Sequence, residues 1–222
     1  MISHDYKCIF IHLPKNAGQS IEHVFLKLLN LTWETRAPLL LRSNDQPTLG
    51  PPRLAHLKAS EYVRFKYLTQ EMFDNYYKFS FVRNPWGRLI SFYKYLEFNK
   101  NYDFKTFLMK HFSKELFIKM GWFVGEQYKF LYSENGELLV DYVGKFESLD
   151  NDFEVVCEKI NIPITKVPHI NSSSNIRNNQ TNYLDKKKVG NSKSYQKYYD
   201  EESKQFVADL YENDIKLFNY KF

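Results

Sequence analysis

The sequence predicts an α/β fold, a single domain over residues 1–222 built on a central parallel β-sheet flanked by helices. Three observations carry this. Short continuous apolar runs rich in β-formers alternate with stretches whose apolar residues recur at helical spacing, the signature of strands buried on both faces and crossed over by helices. Two of those runs end in a polar loop that opens a helix at once, so the same unit occurs twice. The chain has 222 residues and 43% hydrophobic content, enough to bury one full core.

The first strand is expected over 7–13, the apolar run ending in Leu13. From Gly18 the residues Ile21, Val24, Phe25, Leu28 and Leu29 fall on one helical face, which predicts a helix to about Asn30. Residues 31–55 hold four prolines and little periodicity, so they read as a long irregular connection. Residues 59–75 read as helix in two pieces. The run YYKFSFV, Tyr76 to Val82, is a second buried strand that leads into Arg83-Asn84-Pro85. Asn84 suits the N-cap of the next helix and Pro85 its first position, with Leu89, Ile90, Tyr93 and Leu96 as the inner stripe. A third strand lies in ELLVDYVGKFE, followed by a helix from Leu149 to Ile160. The polar stretch 161–197 breaks any helix, and a last helix is expected over 200–218.

The loop PKNAGQS, Pro14 to Ser20, hands a parallel strand to a helix N-terminus, where unpaired backbone N–H groups and the helix dipole favour an anion. Gly18 permits close backbone approach, Lys15 adds a cation with three donors, and Ser20 adds a hydroxyl. Taken alone, the same residues also describe a plain turn with a surface lysine. The loop is not a Walker A motif, because Lys15 precedes Gly18 instead of following a second glycine.

IFIHLPKNAGQSI resembles the first motif of sulfotransferases that use 3′-phosphoadenosine 5′-phosphosulfate (PAPS), and FVRNPWGRLISFY resembles their second. The resemblance continues in order through HLKASEYV, KFESLDNDFEVVCEKINI, PHINSSS and the C-terminal stretch, and it is nearest to the carbohydrate-type and bacterial branch. It implies a P-loop-NTPase-like sulfotransferase fold, with the 5′-phosphosulfate held by Lys15, Asn16, Ala17, Gly18, Gln19 and Ser20. It also implies a 3′-phosphate held by Arg83 and Ser91, with Lys193, Ser194 and Tyr195 as later contacts. Asn16 and Gln19 stand where Thr is common in that family, and Trp86 stands where a smaller or tyrosyl residue is frequent.

Such a site carries out in-line sulfuryl transfer to an acceptor hydroxyl, which the family branch makes a carbohydrate. Lys15 is expected to stabilise the leaving phosphate. His56 is the expected general base, an imidazole with an ordinary pKa near 6.5 at the open edge of the sheet. His12, on the strand, is expected to orient the loop. His169 and Asn171-Ser172 open a polar loop beside the site, and Lys186-Lys187-Lys188 reads as a solvated face.

Composition excludes several classes. The two cysteines, Cys8 and Cys157, read as buried thiols and supply no disulfide framework. The six histidines show no metal-ligand spacing, so no metal is expected. The balance of 31 Lys+Arg against 26 Asp+Glu gives +5, which suits an anionic ligand and is too mild for a nucleic-acid binder. A nucleotide kinase needs Mg²⁺ ligands and a Walker loop, and neither is present in the sequence; a nucleic-acid-binding module is the more distant alternative. No run approaches the roughly 18 apolar residues of a membrane span. The expectation is a cytoplasmic protein if the source is bacterial or viral, with a luminal Golgi domain cut from its anchor as the open alternative.

Overall fold

The computed structural model describes residues 1–112, 117, 119–168, 170 and 195–222. Among the described residues four strands form one sheet in the order β1-β2-β3-β4. β2 (Cys8–Ile11), β3 (Tyr77–Val82) and β4 (Tyr142–Lys145) run parallel, with Phe10 opposite Phe79 and Phe79 opposite Tyr142. The two-residue β1 (Ile2–Ser3) pairs antiparallel with β2 at one edge. The expected α/β fold with a central parallel sheet is therefore present, with one short antiparallel strand added.

The helices that position the site are α1 (Gly18–Leu28), α2 (Glu61–Arg64), α3 (Gln70–Asn75), α4 (Pro85–Tyr95), α5 (Gly121–Val124), α6 (Tyr128–Leu131), α7 (Leu149–Lys159), α8 (Glu201–Leu210) and α9 (Glu212–Leu217). Alternation along β2 sends Cys8 and Phe10 to one face of the sheet and Ile9 and Ile11 to the other. On the first face Phe10, Phe79 and Phe81 pack with Ile21, Val24 and Phe25 of α1 and with Phe153, Val156 and Cys157 of α7. On the second, Ile9 and Ile11 meet Leu54 and Leu57 at and just after the end of the long connection, Tyr62 of α2, Phe130 and Leu131 of α6, and Phe218 and Tyr220. Burial of both faces explains the unbroken apolar runs. A third cluster surrounds α4, where Trp86, Leu89, Phe92 and Tyr93 pack with Phe107, Phe123 and Tyr211.

Two sequence expectations are corrected. The third strand is shorter than its apolar run, since Leu138 makes only an isolated bridge with Tyr132. The C-terminal helix expected over 200–218 is two helices, interrupted at Tyr211. There the buried Tyr211 hydroxyl donates to the Val124 carbonyl at 2.7 Å. The interruption sets Asp214 where its carboxylate accepts the backbone N–H groups of Gln127 at 2.8 Å and Tyr128 at 2.9 Å. Both cysteines are buried free thiols, as expected. Among the described residues no helix is long and apolar enough to cross a membrane.

Candidate active site

The two strand-to-helix loops lie side by side because β2 and β3 are neighbours in the sheet. In the first, Lys15 and Ala17 take left-handed backbone angles, φ 70° and 63°. Alternating that conformation with ordinary angles turns successive N–H groups toward one concavity. The N–H groups of Asn16, Ala17 and Gly18 make no hydrogen bond among the described residues. No side chain caps α1, and its first turn has no acid. The anion-binding end of the helix is left open.

Side chains hold this loop in place from behind. Asn16 is buried, and its Nδ2 donates to the Phe81 carbonyl at 2.8 Å and to Gln127 Oε1 at 2.7 Å. A threonine hydroxyl has one hydrogen and cannot make both contacts, which gives the departure at this position a physical reason. Among the described residues no donor reaches the buried Asn16 Oδ1. Gln127 Oε1 also accepts from the Arg83 N–H at 2.8 Å, and its Nε2 donates to the Arg83 carbonyl at 2.8 Å. One buried glutamine thus fastens both loops, and Asp214 fastens the glutamine. Arg88, fully buried, donates to the carbonyls of Pro14, Gly125 and Phe123 at 3.2, 2.7 and 3.3 Å.

Arg83 Nη1 donates to the Lys15 carbonyl at 3.0 Å, and its guanidinium lies 4.0 Å from the centre of the Phe146 ring. Burial pulls its pKa down to about 10, against the opposing pull of Glu147. Lys15 Nζ sits 3.9 Å from the centre of the Tyr95 ring. Burial, and secondarily Arg83, bring its pKa down to about 8. Among the described residues Lys15, Arg83 and Arg88 take part in no ion pair. Cations withdrawn from water without an ion-pair partner favour an anion.

The remaining predicted residues are placed as follows. Ser20 Oγ accepts the Ile170 N–H at 3.3 Å, and the Gln19 carbonyl accepts from His23 Nδ1 at 2.8 Å. Ser91 is half-buried on α4, two turns beyond Arg83. The Tyr195 ring lies over Gly87, where a Cβ would stand 3.3 Å from it and 3.7 Å from Arg83 Nε. Lys193 and Ser194, together with His169, Asn171, Ser172 and Lys186 to Lys188, lie outside the described residues. Among the described residues no group of three His, Cys, Asp or Glu side chains is placed to hold a metal ion.

His56 is buried, and its Nδ1 lies 3.0 Å from the His12 carbonyl. A carbonyl only accepts, so Nδ1 carries the hydrogen and Nε2 keeps the lone pair. The ordinary imidazole pKa expected from the sequence is corrected: burial, then the neighbouring His12, hold His56 well below it. The freedom expected of Gly18 is also redirected, because a Cβ there would stand 1.9 Å from the His12 ring. The glycine makes room for an imidazole of the same chain.

Sequence reasoning missed Glu22, Gln127, Arg88 and Asp214. Glu22 had a signal, since it falls three and four residues before the buried Phe25 and Leu26. Arg88 likewise precedes the buried Phe92 by one turn. Gln127 and Asp214 had none, being far in sequence from everything they hold.

The sequence model described as Sulfotransferase family matches residues 1–221. Over 109 residues, 47% of this chain and 84% of the relative, the chain is 30% identical to an uncharacterized protein of Archaeoglobus fulgidus. No solved structure matches the chain.

Proposed function

The chain belongs to the sulfotransferase family, and on that premise we propose that it transfers a sulfuryl group from PAPS to a hydroxyl of a carbohydrate acceptor. The observation that carries this reading is the pair of withdrawn cations, Lys15 and Arg83, without an ion-pair partner among the described residues and one on each of two fastened neighbouring loops. A nucleotide with an anionic group at each end is the ligand chemistry that such a pair suits. The open N–H groups of Asn16, Ala17 and Gly18 fit the same requirement.

When bound, PAPS supplies the sulfuryl group and the phosphate that leaves. In this reading Lys15 and the N–H groups of the first loop hold the end where negative charge grows, with Gln19 and Ser20 at the helix start. Arg83 holds the 3′-phosphate through its planar fork, with Ser91, Lys193, Ser194 and Tyr195 assigned as further contacts of that phosphate. His56 Nε2 takes the proton of the acceptor hydroxyl. A depressed pKa keeps that nitrogen unprotonated at neutral pH, although it also makes the imidazole a weaker base. The carbohydrate follows from the family branch that the motifs resemble, and the aromatic side chains beside His56, Trp122 and Phe123, suit the apolar face of a sugar.

The test is a thermal shift in EDTA with 3′-phosphoadenosine 5′-phosphate (PAP), followed by a screen of labelled PAPS against oligosaccharides, glycolipids and small alcohols. PAP at a hundred times its Kd should add about 2.7 kcal/mol of stability, with label passing to an oligosaccharide. No shift with PAP contradicts the donor assignment, and label passing only to small alcohols contradicts the acceptor assignment.

A further inference from the structure

Behind His56 lies a buried acid that the reading above does not use. Glu22, on the second turn of α1, is 2% exposed, and its Oε1 lies 2.5 Å from His12 Nδ1. An ionised carboxylate only accepts, so His12 Nδ1 carries the hydrogen. The His12 ring is fixed on its remaining sides. It stacks on Phe10 at 5.6 Å between ring centres and fills the space beside Gly18. It also meets the His56 ring edge-on at 4.5 Å. The His12 carbonyl takes the Nδ1 hydrogen of His56 at 3.0 Å.

We propose that Glu22 and His12 form a positioning pair for His56: Glu22 holds the His12 ring that packs edge-on against His56, whose tautomer the His12 carbonyl sets, and the Glu22 charge supports the imidazolium formed when Nε2 takes the acceptor proton. This rests on the reading of His56 as the general base. The acid stands behind a catalytic histidine as in a triad, but it acts through the His12 ring and through its charge, with no hydrogen bond of its own to His56. The groups facing His56 make the acid necessary. Arg53, and His12 whenever its own ring is protonated, oppose a positive charge on it, the Met1 amino group is uncharged at neutral pH because burial brings its pKa down to about 5, and Trp122 and Phe123 supply apolar walls. A proton arriving in such surroundings needs a negative charge close by.

The experiment is Glu22→Gln, which keeps the size and an oxygen that accepts from His12 but deletes the charge. The pair predicts a fall in kcat of about tenfold or more, in the range of general-base support, with PAP affinity unchanged within about twofold by calorimetry. The acid limb of kcat should also move to lower pH, because loss of a nearby negative charge makes the imidazolium harder to form. A wild-type kcat and limb with only a lowered melting temperature would overturn the proposal. If the variant is too unstable to assay, ¹⁵N NMR of His12 in the unaltered protein decides: an Nδ1 that carries its hydrogen supports the pair, and a bare Nδ1 overturns it. His56→Ala, measured alongside, separates the two readings. If it keeps the wild-type rate, the base assignment falls and the proposal with it. If it loses about 10²-fold while Glu22→Gln behaves as wild type, only the pair falls.

Discussion

The loop after β2 leaves α1 uncapped, whereas the loop after β3 caps α4 with its own side chain. Asn84 Oδ1 accepts the N–H of Trp86 at 3.1 Å and of Gly87 at 3.4 Å, and Pro85 has no N–H to offer. The donors at the start of α4 are thus consumed internally, and the second loop presents one side chain, Arg83. The first presents backbone N–H groups and a lysine. Similar strand-loop-helix units therefore supply different ligand chemistry. Fixed backbone donors suit the point where charge develops during a reaction, and an arginine fork suits a phosphate whose charge does not change.

The sharpest way to break this division is at Lys15. If the first loop handles developing charge, Lys15→Ala should lower kcat by about 10² to 10³, far more than it weakens PAP binding. Equal losses in both would make Lys15 a plain binding residue. The same side chain gives a pH signature. Its pKa of about 8 in the free protein means that the ammonium is present below that value and lost above it. kcat/KM should therefore fall as pH rises through about 8, and the limb should move to higher pH in Lys15→Arg. A smaller effect probes the other loop. Asn84→Ala removes an N-cap and should cost about 1 kcal/mol of stability, read as a lower melting temperature. PAP affinity should change little, because those donors already serve α4. A large loss of affinity with unchanged stability would erase the distinction between the loops.

Strands and loops were legible because they are local. A buried parallel strand is a continuous apolar run, and Asn84-Pro85 announces a helix start within two residues. Lys15 and Arg83 were legible as the cations of a candidate anion cradle for the same reason, whereas the place of Gly18 against the His12 ring was not. What holds the cradle was not. Gln127 reaches Asn16 across 111 positions and is itself held by Asp214 across 87, and no periodicity encodes such contacts. The break at Tyr211 was hidden because both halves of the C-terminal helix keep helical spacing, and the buried hydrogen bond that Tyr211 makes there spans 87 positions to Val124. His56 was located by its surroundings in the sequence. Its depressed proton affinity was not, since burial and the proximity of His12 are properties of the folded chain.

The central claim is that Arg83 reads the 3′-phosphate while the first loop holds the other end of the nucleotide. Calorimetry with PAP and with adenosine 5′-phosphate, on the wild type, Arg83→Ala and Lys15→Ala, tests it directly. The wild type should prefer PAP by roughly thirtyfold or more, the equivalent of about 2 kcal/mol for a lost charge-assisted contact. Arg83→Ala should lose most of that preference, and Lys15→Ala should keep it. An Arg83→Ala protein that still distinguishes the two nucleotides as well as the wild type would contradict the account.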